Sequence, residues 1–410
     1  MAQGEETATR KARLAGRVSL AGFVLATALL PIVIVLATRA VPAGIGAATL
    51  LLLLAIAIDG GLAALGARLS SLGRNPVALG FLALVGWALV CPFFGSPYGL
   101  DGKAAARLAG SLALVALWWG VIGVAPRPPA ALLRWLQLAG LFFAGALIVF
   151  ERGNAYPIRT ALGLEHWSHM TNRPSMVLAV FAIVFAATTL RRGTWPLALA
   201  VFAWAVHIVF AGESESTKLL VALFAVVLPV AWLLPRLAAW SVAGGAVAAM
   251  LLVPLVLPSL ALPQAEWLQS FLQQASAAHR LAIWQSYLPY IFEHPIAGYG
   301  IGGEHRVMST IDPATGATVA AQWHPHSMLI QGWINFGLVG VLVLSAIAIA
   351  IGREAGRLPA GPRAFTIALF AGVFAVASIG HGAWQEWWLV LAGVGLTSVA
   401  VLPRHPGKAG

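Results

Sequence analysis

The chain has 410 residues, 60% of them hydrophobic and only 10% charged, with a mean hydropathy of +0.86. That is more apolar surface than a water-soluble fold can bury, so the composition excludes a soluble domain and points to an all-α, polytopic integral membrane protein. The net charge of +11 does not argue for nucleic acid, because Lys and Arg are sorted by loop rather than gathered into a basic stripe.

In chain order, the polar and basic stretch 1–17 reads as a cytoplasmic tail before an uncleaved first span, since no small-residue cleavage site follows it. Apolar runs predict about twelve transmembrane helices, at about 18–38, 43–65, 77–94, 104–124, 131–150, 174–190, 195–211, 218–234, 237–257, 326–351, 364–380 and 384–402. The chain thus divides into the tail 1–17, nine spans within 18–257, a loop subdomain 258–325, three spans within 326–402 and a cytoplasmic tail 403–410. Cys91 lies in an apolar run and has no second cysteine, so no disulfide or thiolate metal site forms within the chain.

With both ends inside, Arg39, Lys103, Arg107, Arg152, Arg159, Arg173, Lys218, Arg280 and Arg306 fall on the outer side, where topology does not require them. Three outer segments hold most of this polarity: the stretch from Glu151 to Arg173, the short GESESTK from Gly212 to Lys218, and 258–325. In the last, Leu281, Trp284, Leu288 and Ile291 recur at helical spacing, so Arg280 to Phe292 reads as one amphipathic helix near the membrane surface, ended by His294-Pro295. The following GYGIGG reads as flexible punctuation, because it lacks the strand-before, helix-after context of a dinucleotide loop.

The span that opens with His326-Ser327 carries Ser327, Gln331 and Asn335 every fourth residue, a polar stripe that faces protein or a wet cavity rather than lipid. Gly337 and Gly340 then permit close helix approach. The bland alternatives are plain: a histidine at an interface is commonly only solvated, Arg280 or Lys218 can be a headgroup anchor, and Trp284 can belong to the aromatic belt. His324 and His326 lack a third metal ligand at supporting spacing.

His326-Ser327, nine residues and Gly337-Leu338-Val339-Gly340, preceded by Arg280-x3-Trp284 and by His294-Pro295-Ile296-Ala297-Gly298-Tyr299-Gly300, resemble the motifs of the O-antigen ligase and O-antigen polymerase superfamily, closest to the ligase. The resemblance spans about sixty residues. It implies a GT-C-like, metal-independent membrane glycosyltransferase with no cofactor, in the bacterial inner membrane, its active site facing the periplasm.

The implied donor is an undecaprenyl-pyrophosphate-linked glycan. The implied acceptor is lipid A-core, or a second lipid-linked glycan if the protein is a repeat-unit polymerase for O-antigen or exopolysaccharide. By the same resemblance His326 is the general base and Arg280 holds the departing pyrophosphate, with Ser327, Gln331, Trp284, His294, Gly337 and Gly340 in support. The family's second cation, usually an Arg after Ser, is here Lys218 after Ser216-Thr217, so Arg173 or Arg159 can take its place. A lipid-linked glycan transporter, the reading from another class, predicts repeated halves and polar residues near the midplane, whereas these crowd one side.

Overall fold

The structure, a computed structural model, describes residues 2–94, 96–164, 167–190, 194–260, 277–307, 325–380, 382 and 384–401. Among them every regular element is a helix. A bilayer core offers the backbone no water, so each N–H and C=O in an apolar run must be satisfied within its own segment.

Ten helices are long and apolar enough to cross a membrane. They are α1 (Thr9–Leu36), α2 (Val41–Asp59), α3 (Pro76–Phe93), α4 (Gly102–Val124), α5 (Ala130–Gly153), α6 (His169–Leu190), α8 (Glu215–Leu233), α9 (Pro235–Ser259), α13 (Met328–Gly356) and α14 (Ala360–Ile379). Two shorter apolar helices, α7 (Trp195–Phe210) and α15 (Glu386–Val401), bring the set into one-to-one correspondence with the twelve runs of the sequence. The protein is a polytopic membrane protein.

Two expectations shift at the N-terminal half. The first helix starts at Ala2, so the described part of 1–17 is helical and continuous with the first span rather than a separate tail. The second span ends at Asp59 and not near 65, because Gly60 takes φ +79° and turns the Gly60 and Gly61 amides back onto the Ala57 and Ile56 carbonyls. A separate short helix, Leu62–Ser70, follows.

α6 sits at the centre. Every residue from Pro174 to Ala187 is buried, which suits a helix that is apolar all round over most of its length. Its surroundings include α1, α2, α5, α7, α8, α14 and α15. A second core joins α3, α9 and α13 to three short helices of the outer segment, α10 (Ala277–Ser286), α11 (Leu288–Glu293) and α12 (Gly303–Val307). Of 258–325, residues 261–276 and 308–324 lie outside the described residues; α11 and α12 rest directly on α13, and α10 on α11 and the end of α9.

The single amphipathic helix expected over Arg280 to Phe292 is two helices, broken at Tyr287. Pro289 is the reason, since its ring lacks an N–H and would clash with the carbonyl four residues earlier. The buried stripe is Ile283, Tyr287 and Ile291, and it belongs to the same core as Ile330, Trp333 and Ile334 of α13. His294 caps the end of α11, as expected.

α13 is 29 residues long, about 43 Å of helix against roughly 30 Å of hydrocarbon. Gly337, at φ +58° and ψ −161°, interrupts it. The carbonyls of Ile334 and Asn335 accept from the amides of Tyr299 (2.7 Å) and Gly300 (2.9 Å), while the Leu338 and Val339 amides donate to the Pro295 (2.8 Å) and Ile296 (3.2 Å) carbonyls. The Trp87 indole satisfies the Phe336 carbonyl at 2.9 Å.

The two motifs are therefore one device: the chain from Pro295 to Gly300 replaces the hydrogen bonds that the break at Gly337 removes. The GYGIGG run is not loose punctuation, because its first two glycines are locked against α13 with positive φ. A Cβ on Gly298 would stand 2.6 Å from the Ile334 carbonyl oxygen and the Phe336 nitrogen. Gly340 serves differently from the expected close helix approach, since the space it leaves is filled by Phe336 of its own helix.

A Cβ on Gly337 would fall on the Ile296 carbonyl and lie 2.6 Å from the Ala297 nitrogen, in a backbone conformation that L residues rarely adopt. Gly337→Ala is therefore expected to destabilise the protein by roughly 2–4 kcal/mol. Gly46→Ala, with nothing within 4 Å, is expected to change little. Thermal unfolding of the two detergent-solubilised variants checks the contrast.

Candidate active site

Arg280 and Trp284 are one helical turn apart on α10, so their side chains share a face. The Trp284 indole donates to the Pro325 carbonyl at 2.8 Å, which ties α10 to the residue just before His326. The Arg280 Nη1 donates to the Ile379 carbonyl at 2.8 Å, filling an orphan acceptor at the C-terminus of α14. Burial weakens the hold of Arg280 on its proton, and the Glu215 charge restores part of it.

His326 stands two residues before Met328, where the helix it was expected to begin starts. Ser327 is the N-cap of α13, its Oγ accepting from the Ile330 amide at 3.4 Å. His326 itself is half-buried and takes φ +53°, a left-handed conformation that histidine tolerates better than most residues but that still stores strain. Pro325 is pinned by Trp284 and Ser327 by its cap, so both neighbours of the strained residue are fixed.

Lys218 and Arg280 share an acid. Lys218 pairs with Glu215 at 2.7 Å on the first turn of α8, and Glu215 acts on Arg280 across the gap. Ser216, between them, packs where a side chain on Gly380 would go, one residue past the Ile379 carbonyl. Two cations facing one carboxylate leave Lys218 partly neutralised.

A second cationic centre lies in a cavity of about 510 Å³ lined by Thr38, Arg39, Arg159, Trp167, His169, Met170 and Arg173. Arg173 is carried there by the outer end of the central helix α6, and its guanidinium lies 5.2 Å from the Trp387 ring centre. Arg39 is near enough for the two like charges to repel. Arg159 is 5% exposed and donates Nη1 to the Val35 (3.0 Å) and Leu36 (2.8 Å) carbonyls, so it lends charge while much of its fork is committed. None of the seven lining residues is acidic.

The polar stripe of α13 is fully buried, with Ser327, Gln331 and Asn335 at 1%, 2% and 0% exposure. Gln331 Nε2 donates to Glu304 Oε1 at 2.8 Å. Glu304, on α12, is itself buried, and burial pushes its carboxyl well above the ordinary carboxylate range. His294 is not part of this group; its ring packs edge-on against Tyr299 at 4.4 Å, and Tyr299 donates its hydroxyl to Glu293 at 2.6 Å.

The Trp284 bond thus ties the helix that carries Arg280 to the turn that carries His326, Glu215 links Lys218 to Arg280, and Arg159 and Arg173 line a separate cavity. His294, Gly337 and Gly340 act in the kink instead. Sequence reasoning passed over two residues: Arg39, visible only as one more outer cation, and Glu304, an acid that stands at the end of a glycine run. No group of three metal-ligating side chains occurs among the described residues, and His324 lies outside them.

Residues 177–345 match the profile of the O-antigen ligase family. That range takes in Lys218, Arg280, Trp284, His294, Glu304, His326, Gly337 and Gly340, and leaves Arg39, Arg159 and Arg173 outside. A Rickettsia conorii protein named "putative polysaccharide ligase" is 27% identical over 121 residues, covering 28% of this chain and 29% of the relative. A Rickettsia prowazekii protein of the same description is 27% identical over 126 residues, 30% and 31% of the two chains. A Rickettsia bellii relative is 21% identical over 252 residues, 60% and 61%. The first two alignments span less than a third of those relatives.

Proposed function

We propose, on the premise that residues 177–345 work as they do in O-antigen ligases, that this protein transfers a glycan from undecaprenyl pyrophosphate to lipid A-core at the periplasmic face of the inner membrane. His326 takes the proton of the acceptor hydroxyl as its oxygen attacks the anomeric carbon. The bond from that carbon to the phosphate oxygen breaks, and the lipid pyrophosphate leaves with the electron pair. Arg280 meets the charge that develops there, assisted by Lys218 and by the cations of the Arg39, Arg159 and Arg173 cavity; no metal or cofactor takes part.

The observation that carries this reading is the 2.8 Å bond from Trp284 to the Pro325 carbonyl, because it joins the helix of the guanidinium to the turn of the imidazole. A cation near a departing phosphate contributes about 4 kcal/mol of gross attraction at an effective dielectric near 20, enough to matter against a barrier whose every 1.4 kcal/mol is tenfold. The wide cavity with its three arginines supports one second reading, a repeat-unit polymerase, which must hold two lipid pyrophosphates instead of one.

A deletion strain separates these. Polymer retained on undecaprenyl pyrophosphate is the expected result for the ligase. Surface molecules bearing a single repeat would favour the polymerase, and unchanged surface glycan would sink both.

A further inference from the structure

A second cavity, of about 380 Å³, lies against the break in α13 and is lined by Trp87, Phe94, Glu293, His294, Pro295, Ile296 and Ala297. Four of these residues are ones that repair the break. The Trp87 indole fills the Phe336 carbonyl, Pro295 and Ile296 accept from the Leu338 and Val339 amides, and Ala297 stands where a side chain on Gly337 would go.

The wall of this cavity is apolar and uncovered. Phe94 and Ile296 are 63% and 67% exposed, and so are most of Phe93 and Phe292, next in the chain to Phe94 and Glu293. Phe93 is the last residue of the span α3, so these side chains stand at one end of the apolar slab, where membrane lipid meets them. The Trp87 and Phe94 rings stack with centres 5.8 Å apart.

An aromatic belt at a bilayer surface needs no acid, yet this cavity has one. Glu293 is exposed, accepts the Tyr299 hydroxyl on Oε2 at 2.6 Å and forms no ion pair among the described residues. None of the seven lining residues is Lys or Arg. The charge is thus the reverse of that in the cavity of Arg39, Arg159 and Arg173. A phosphate would be repelled by the acid here, whereas an ammonium meets a carboxylate and aromatic rings.

We propose that this groove binds a membrane phospholipid with a primary ammonium headgroup, of the phosphatidylethanolamine kind: the ammonium donates to Glu293 beside the rings of Trp87 and Phe94, and an acyl chain lies over Ile296 and Phe292. The volume suits such a headgroup and the first part of a chain, being within the range of about 300–1,000 Å³ common to small-molecule sites. The lipid phosphate stays in the hydrated headgroup layer. Because the occupant touches the residues that repair the break, it tightens the joint between the two parts of α13. The inference does not depend on the transfer reaction.

The test uses the full-length protein. In detergent, thermal unfolding is followed with increasing short-chain phosphatidylethanolamine and, separately, with short-chain phosphatidylglycerol, which carries a phosphate but no amine. Wild type is expected to gain about 2 °C or more, saturably, with the ethanolamine lipid and little with the glycerol lipid. Glu293→Gln, which keeps an acceptor for Tyr299 but no charge, is expected to weaken the ethanolamine lipid by about tenfold or more. Phe94→Ala, at an exposed ring, is expected to weaken it as well and keeps the site readable if the charge change disturbs the fold. Equal stabilisation by both lipids, or variants that respond as wild type does, would overturn the ammonium site.

Native mass spectrometry of protein released from nanodiscs of mixed phosphatidylethanolamine and phosphatidylglycerol separates the other occupants. The expected result is an ethanolamine lipid retained on wild type and lost from both variants. Retained glycerol lipid, a polyprenyl phosphate or a second copy of the chain in its place would overturn the proposal. Neither readout needs turnover, so failure here leaves the transferase reading untouched, and the reverse holds too.

Discussion

His326→Asn is expected to lower transfer by about 10²–10⁴-fold while donor binding and membrane insertion stay near normal, the loss typical of removing a positioned general base. Asparagine is the informative choice because, like histidine, it tolerates the left-handed region that φ +53° occupies. Alanine would add roughly 1–2 kcal/mol of backbone strain and blur the result. The Ser327 cap and the Trp284 bond hold the turn with or without the imidazole, so the fold should survive the substitution. Turnover within a few-fold of wild type in His326→Asn would end the assignment.

The twelve helices were legible because each is an apolar run, ten of them of bilayer length, and nothing but a helix satisfies the backbone there. What a run of residues does when it leaves its helix was harder to read. Pro289 was in plain view, yet hydrophobic spacing across it still looked continuous, so one helix was expected where two stand. The glycine run looked flexible because its partner, the break at Gly337, lies far along the chain and announces itself only through a left-handed glycine that sequence does not reveal.

The site divides in the same way. Arg280, Trp284 and His326 were readable as a pattern of spacings, and the Trp284 bond gives that pattern a physical cause. The burial of Glu304 was not readable, because a lone acid in a polar segment looks solvated. For Lys218 the sequence left open whether Glu213 and Glu215 pair with it or face water, and Glu215, on the same helical turn, takes up part of its charge.

That last point raises the weight on Arg280. Arg280→Ala is expected to cost about 10²–10³-fold in turnover, the loss seen when one charged or hydrogen-bonding group is removed from a developing oxyanion. Arg280→Lys is expected to recover little of it, with roughly 10- to 100-fold still missing. The guanidinium has five donors, and among the described residues only Nη1 is used, on the Ile379 carbonyl, so the rest of its planar fork can face phosphate oxygens.

An ammonium on a shorter stem must choose between the carbonyl and the phosphate, and in a half-buried site beside Glu215 it would turn to the acid, as Lys218 already does. A membrane anchor needs only a long cationic side chain, so for an anchor the two substitutions would differ, with lysine equal to wild type. Steady-state turnover of both variants in proteoliposomes, at matched protein levels, decides between them: full activity in Arg280→Lys would make Arg280 a headgroup tether, and loss in both would make its fork part of the chemistry.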